Sequence, residues 1–387
     1  MHDPHLDRRS LRAWGWRLAG IVSLALCSLT ATAQPGYGFA APGGYGLKVY
    51  RTDYSLYPFV QLYLRSFDSD MQPLINLNER NLGLMIQGRP YDPRKMQFGI
   101  QSIRDRMEAT RSVLVIDASK SMAGAPFEGT LRAALRFIES KRPQDEVAVL
   151  AIRDTKDGFD LVSQFERDER ALARRIADIR ADGMKTRLYD SIGAALQMCA
   201  MSSQGSISGG NYVVSCSILV MSDGKDENSS VSRDELMTRI SNMRIPIPIY
   251  SLAYSRLDRS YFKNLEALSK NSFGIYYHIG ETTQQMQRVV EQIQNILQSD
   301  YVVTFRSYVP IDGASHNIKL GIEYPSGSGK YVYDDATFEA IQPPPFPATM
   351  EAIERLNQKI PALPDGDPFW PTANTVTGES PSAMPKQ

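Results

Sequence analysis

The chain of 387 residues predicts an α/β fold, a mostly parallel sheet covered by helices on both faces and inserted in, or flanked by, an antiparallel β-sandwich. Three observations carry this expectation. Between Arg111 and Ser299, short continuous apolar runs alternate with helical patterns, as in a parallel sheet buried on both faces. Before Arg111 and after Ser299 the apolar period is two, which marks half-buried antiparallel strands. The length suits two domains of about 150 residues each.

Residues 1–33 have the layout of an export signal. Arg8, Arg9, Arg12 and Arg17 precede an apolar run from Leu18 to Leu29, and Ala31-Thr32-Ala33 offers small residues for cleavage. The run is well short of the roughly 20 residues of a spanning helix, and nothing later resembles a second span. A cleaved signal and an exported product, periplasmic, secreted or on the cell surface, are expected. The glycine-rich stretch Gln34–Gly46 is expected to be a flexible linker that adds nothing to the core.

Residues 47–110 then form the first part of a sandwich, with apolar alternation at Val60, Leu62 and Leu64, at Leu82, Leu84 and Ile86, and at Phe98 and Ile100. Residues 111–299 form the α/β unit. Its buried strands are expected at Val113–Ile116, Val147–Ile152, Ile218–Met221, Ile247–Ala253 and Ile275–Ile279. The helices are expected at Leu131–Ser140, Glu169–Arg180, Leu188–Ala200, Arg233–Met243, Tyr261–Ser269 and Thr283–Leu297. Ser232 with Glu235, and Thr282 with Gln285, match the capping-box pattern that satisfies free amides at a helix start. Residues 300–342 return to strands, around Tyr301–Phe305, Ile318–Tyr324 and Tyr331–Tyr333. Neither flank buries a core alone, so the two are expected to combine into one discontinuous sandwich. Residues 343–387 read as a proline-rich, largely disordered tail with a short helix near Met350–Gln358.

Composition narrows the function. The 43 basic and 43 acidic side chains cancel, so the field that would gather nucleic acid or an anionic membrane is missing. With the signal removed, only Cys199 and Cys216 remain as cysteines. In an oxidising compartment they suit a disulfide that closes a loop of about 15 residues and adds on the order of 3 kcal/mol. Only His278 and His316 survive cleavage, which excludes a histidine-rich metal site.

The chemistry concentrates in three separated stretches: Asp117-Ala118-Ser119-Lys120-Ser121, Thr186 shortly after Gly183, and Ser222-Asp223-Gly224. Asp117, Ser119, Ser121, Thr186 and Asp223 are hard oxygen donors suited to one octahedral cation, Mg²⁺ or Mn²⁺, with Ca²⁺ as a further candidate. Zn²⁺ would want the nitrogen and sulfur that the chain hardly offers. All three stretches sit at the carboxyl ends of strands or on loops before helices, the rim where open α/β sheets bind ligands. Taken singly, a Ser or Asp at a helix entrance is an ordinary cap, and Asp190 is read in that structural sense. Asp226 and Glu227, beside the donors, could select a basic partner surface, although an acidic loop is ordinarily just solvated.

Read with Leu188-Tyr189-Asp190 and Val220-Met221-Ser222-Asp223-Gly224, these residues resemble the von Willebrand factor type A domain and its metal-ion-dependent adhesion site, over roughly residues 111–299. The resemblance implies a doubly wound fold. It also implies cation binding through the hydroxyls of Ser119, Ser121 and Thr186, with Asp117 and Asp223 holding the ion directly or through water. The last ligand would be a carboxylate of a partner protein. Two other readings stand beside this one. A haloacid-dehalogenase-type phosphatase also opens on an apolar strand ending in Asp, but it needs a second acid two residues on, where this chain has Ser119. An envelope scaffold that keeps the donors without using them is the third.

Overall fold

A computed structural model of the chain describes residues 44–69, 72–92, 95–202, 207–208, 211–243, 246–254, 259–279 and 283–363. The expected export signal, most of the linker, Thr282 and residues 364–387 lie outside the described residues. The first flank supplies β1 (Tyr45–Leu56), β2 (Phe59–Asp68), β3 (Leu82–Ile86), β4 (Arg89–Pro90) and β5 (Phe98–Ser102). The α/β unit opens with β6 (Ala109–Asp117), α1 (Ala125–Glu139), β7 (Glu146–Ile152), β8 (Phe159–Glu166), α2 (Glu169–Ala177), α3 (Leu188–Ser202) and β9 (Ile207–Ser208). It continues with β10 (Asn211–Ser222), α4 (Arg233–Ser241), β11 (Ile249–Ala253), α5 (Phe262–Asn271), β12 (Tyr276–His278) and α6 (Thr283–Leu297). The last flank adds β13 (Tyr301–Arg306), β14 (Ser315–Glu323), β15 (Tyr331–Glu339) and α7 (Pro347–Lys359).

The central sheet runs β12-β11-β10-β6-β7-β8, with β9 paired to β10. Its four inner pairings are parallel, and β8 is antiparallel to β7. The continuous apolar run of β6 has a simple cause, since both of its faces are covered. Leu114 and Ile116 pack with Phe137 of α1 and Val290 and Ile293 of α6. Val113 and Val115 pack on the other side with Ile192 and Leu196 of α3. Helix α6 buries Met286, Val289, Val290, Ile293, Ile296 and Leu297, a spacing of threes and fours that forms one apolar stripe. At α4 the Ser232 side chain accepts the Glu235 amide, as its capping pattern required.

Two antiparallel sheets flank this unit, ordered β1-β2-β13-β5 and β15-β14-β3-β4. Each draws strands from both flanks of the sequence. Leu62, Leu64, Val303 and Phe305 of the first share one core with Leu84, Ile86, Ile318 and Leu320 of the second. The overall class is therefore the one expected, a doubly wound, mostly parallel sheet accompanied by two antiparallel sheets.

The chain differs from the sequence reading in three places. Tyr45 and Gly46, assigned to the linker, begin β1, and Tyr45, Leu47 and Val49 are buried in the shared core. Gly46 serves close packing there, because a Cβ would fall 2.5 Å from the Phe67 ring. Strand β8 escaped notice because it is a sheet edge with a single buried residue, Ser163, and edge strands lack a clean apolar signal. The tail assignment from residue 343 is too broad, since α7 covers Pro347–Lys359, slightly longer than expected, and Asn357 accepts a hydrogen bond from Arg306 at 2.7 Å.

The joint between the units is short and polar. Asp300, between α6 and β13, accepts two hydrogen bonds of 2.8 Å from Arg65 of β2, and Arg65 also donates to the Tyr250 hydroxyl of β11 at 2.8 Å. A bidentate ion pair with one partner buried and the other half-buried fixes orientation more than it adds net stability.

Candidate metal centre

Strands β6 and β10 lie side by side, with Met221 opposite Ile116. The connection leaving β6 leads to β7 on one side and that leaving β10 leads to β11 on the other, so their carboxyl ends form the switch point of the sheet. Asp117 closes β6, and Asp223 follows Ser222, the last residue of β10. The loop carrying Thr186 is drawn in by backbone bonds: Lys120 donates to the Gly183 carbonyl at 2.9 Å and Gly183 donates to the Ala118 carbonyl at 3.0 Å. Gly183 matters for this approach, not for a bend, because a Cβ would stand 3.2 Å from the Ala118 oxygen.

The side chains at the ends of β6 and β10 are bonded as follows. Ser121 Oγ donates to Asp223 Oδ2 at 2.7 Å, and the Ser119 and Ser121 hydroxyls lie 2.9 Å apart. Since Ser121 spends its proton on Asp223, Ser119 must donate to Ser121. Asp117 accepts the Ser119 amide at 3.0 Å and the Ser222 hydroxyl at 2.6 Å. Thr186 is tied to the neighbouring loop, its amide donating to Glu227 Oε2 at 3.1 Å and its carbonyl accepting the Glu227 amide at 2.8 Å. Its own hydroxyl is buried and has no hydrogen-bond partner.

Asp117, Ser119, Thr186 and Asp223 are buried, whereas Ser121 faces solvent. Burial and, after it, the nearby Asp223 charge push the Asp117 carboxyl up to about 6, against the pull of bonds from Ser222 and Ser119. Two carboxylates crowded at a rim are unfavourable in the bare protein, as is the orphaned Thr186 hydroxyl on the adjoining loop, and a hard cation is the kind of group that would relieve them. Among the described residues no group of three or more His, Cys, Asp and Glu side chains is placed to hold a metal. A cation here would therefore rest on hydroxyls and two carboxylates, which is the donor set that the sequence offered. That set fits Mg²⁺ or Mn²⁺.

Ser222 is the residue that the sequence reading left out. It donates to Asp117 and accepts the Gly224 amide at 3.0 Å, so it orients the carboxylate. Its place in the run from Val220 to Gly224 was the available signal. Asp190 is structural, holding Arg187 at 2.7 Å and accepting the Ser230 and Val231 amides. Asp226 and Glu227 are engaged by neighbouring groups. Asp226 accepts from Ser229 and the Tyr189 amide, while Glu227 takes Lys225 Nζ at 2.6 Å and the Thr186 amide. Each acid thus accepts a backbone amide of the Thr186–Tyr189 segment, which ties the two loops together.

Cys199 and Cys216 form a disulfide with Cα atoms 5.5 Å apart. Cys216 stands six residues before Ser222 on β10, which places the bridge about 20 Å along the strand from the donor rim. Among the described residues no helix is long and apolar enough to cross a membrane.

The family model of the von Willebrand factor type A domain matches residues 112–225. No curated protein matches the chain. Among solved structures, a von Willebrand factor type A protein from Catenulispora acidiphila is similar at 10% identity, covering 80% of this chain and 75% of its own, with a TM-score of 0.42. The von Willebrand factor domain of a type V pili tip protein from Porphyromonas gingivalis is similar at 13% identity, covering 49% and 96%, with a TM-score of 0.35. The manganese-loaded TRAP protein of Plasmodium vivax is similar at 10% identity, covering 64% and 98%, with a TM-score of 0.37. The family match spans most of β6, its donor loop, the Thr186 loop and β10 with Asp223, so this part of the α/β unit is similar to a von Willebrand factor type A domain.

Proposed function

We propose that this chain is an exported protein-binding module, adhesive or scaffolding, that recognises an Asp or Glu side chain of a partner protein through a divalent cation. Asp117, Ser119, Ser121, Thr186 and Asp223 would hold Mg²⁺ or Mn²⁺, with Ca²⁺ a third candidate. The observation that carries this reading is the Thr186 hydroxyl, buried and without a hydrogen-bond partner, on a loop that backbone bonds tie to Ala118 and Lys120 of the first donor loop. Leaving such a group unsatisfied costs about 1–3 kcal/mol, and a ligand that uses it removes that cost.

When bound, the cation supplies an open Lewis-acidic position for a carboxylate oxygen of the partner. The chain's own residues set the selectivity. Three neutral hydroxyls and two carboxylates leave a divalent ion with no excess of negative charge around it, which favours an anionic ligand. Ser222 and the Ser119 amide hold Asp117 in place, and Gly183 lets the Thr186 loop close on the first donor loop. Ser121, the exposed donor, marks the side from which a partner enters. The export reading rests on residues 1–33 and agrees with the Cys199–Cys216 disulfide.

Calorimetric titration with Mg²⁺ and Mn²⁺ tests the first half. Saturable heat is expected from the native chain and none from Asp223→Ala. A pull-down from envelope extract, with and without chelator, tests the second. A native chain that gives no heat with either ion defeats the proposal. Cation binding with partner capture indifferent to chelation would leave an unused site in a scaffold.

A further inference from the structure

The charges around the donors are unevenly used. Of the acids on these loops, Asp154 accepts the Met184 amide at 3.1 Å and Asp182 pairs with Arg153 at 3.2 Å, while Asp226 and Glu227 accept the Tyr189 and Thr186 amides as described. Lys225 is taken by Glu227. Two lysines differ. Lys120, between Ser119 and Ser121, is exposed, and its Nζ meets only the thioether sulfur of Met184, a weak acceptor. Lys185, next to Thr186, is also exposed and lies within electrostatic reach of Glu227 without forming an ion pair. Met184 itself is 65% exposed.

We propose that Lys120 and Lys185 form a basic rim that selects a partner segment whose metal-directed carboxylate is flanked by further Asp or Glu residues. The proposal rests on the cation reading above and adds the chemistry of the partner to it. Asp117 and Asp223 can balance a divalent ion, and the two lysines, neither of them in an ion pair, then add exposed positive charge beside it. A lysine next to a dication lowers the affinity for that ion, and as an exposed charge it adds little to folding. An incoming acidic segment is the ligand that turns this cost into attraction. Rim charges of this kind act mainly on association rate and partner choice, and salt screens them. Met184, lying against Lys120, gives the same segment an apolar contact.

The test uses the full chain and three synthetic peptides bearing one Asp flanked by Glu, by Gly or by Lys. Binding is read by fluorescence anisotropy with and without Mg²⁺, at low and high salt, for the native chain, Lys120→Glu/Lys185→Glu and Lys120→Gln/Lys185→Gln. Calorimetry of Mg²⁺ on the same proteins reports the cation site separately. The Glu-flanked peptide is expected to bind about tenfold tighter than the Gly-flanked one at low salt. The preference should vanish in the Gln variant and invert in the Glu variant, with Mg²⁺ affinity kept or raised in both. No binding of the Glu-flanked peptide, or an equal preference in native and variant chains, overturns the rim. A lysine-dependent preference in a chain that binds no Mg²⁺ would uphold the rim and defeat the cation reading instead.

Discussion

Thr186→Val inverts the usual sign of a buried polar-to-apolar change. Ordinarily, removing a buried threonine hydroxyl breaks a hydrogen bond and strands its partner. Thr186 is 1% exposed and its hydroxyl has no partner to strand. Valine keeps the shape and discards an unsatisfied group whose desolvation costs about 1–3 kcal/mol. In chelator, the variant should therefore be more stable than the native chain by about 1 kcal/mol, a rise of roughly 2–4 °C in Tm for a unit of this size. Removing one of five oxygen donors should at the same time weaken Mg²⁺ by about tenfold or more, or about 1.4 kcal/mol. Thermal unfolding in chelator and in excess Mg²⁺, with calorimetry of the ion, reads both effects. A variant that loses stability in chelator while binding Mg²⁺ as before would show that the hydroxyl has an internal partner and is no ligand.

Protons should compete with the cation at Asp117. Its folded pKa of about 6 lies above the ordinary 3.8, so Mg²⁺ affinity should fall by up to about tenfold per pH unit below 6. A titration series from neutral to acid that shows no change would remove Asp117 from the site. In chelator the same shift has a stability consequence. The folded state holds the proton more tightly than the unfolded chain, so stability should decline as pH rises from about 4 to about 6, by at most about 3 kcal/mol for this group. Asp300→Ala leaves Arg65 buried beside Tyr250 without its counter-charge and should cost about 3–5 kcal/mol in denaturant unfolding, whereas Asp300→Ala/Arg65→Met should recover part of the loss. Cys199→Ser/Cys216→Ser should lower stability by about 3 kcal/mol and leave Mg²⁺ affinity unchanged, because the bridge lies far from the rim; altered ion binding would contradict that placement.

The buried strands were the legible part of the fold, and the physical reason is visible in β6. A strand covered on both faces must be apolar without interruption, and Val113 to Ile116 shows this whatever surrounds it. Helix α6 was legible through its single stripe, and its limits Thr283–Leu297 agree with the expected ones. Strand β8 was not legible, because Leu161 is exposed while Ser163 is buried, the reverse of the alternation that a pattern search relies on. Strand β1 was hidden by composition: the glycines around Tyr45 resemble a linker, yet Gly46 is small because the Phe67 ring occupies the space of its side chain. Local sequence carries no record of a neighbour 21 residues away that folding brings into contact.

The donors were easier to find than their surroundings for a related reason. Asp117, Ser119 and Asp223 are fixed by backbone geometry at the ends of adjacent strands, so their order and spacing survive in the sequence as a short motif. Ser222 could be read from the same run, once its Oγ is seen to stand between Asp117 and the Gly224 amide. The charge state of the rim was not readable in this way. Asp226 and Glu227 look like free acids beside a site until the loops close, and only then do the Tyr189 and Thr186 amides claim them. Under the proposed rim, Lys120 and Lys185 are the charges left without an ion pair, and they would extend the expected preference for a partner carboxylate to the residues around it. For exposed charges, who is already paired decides recognition more than who is present, since a satisfied carboxylate offers little to a newcomer.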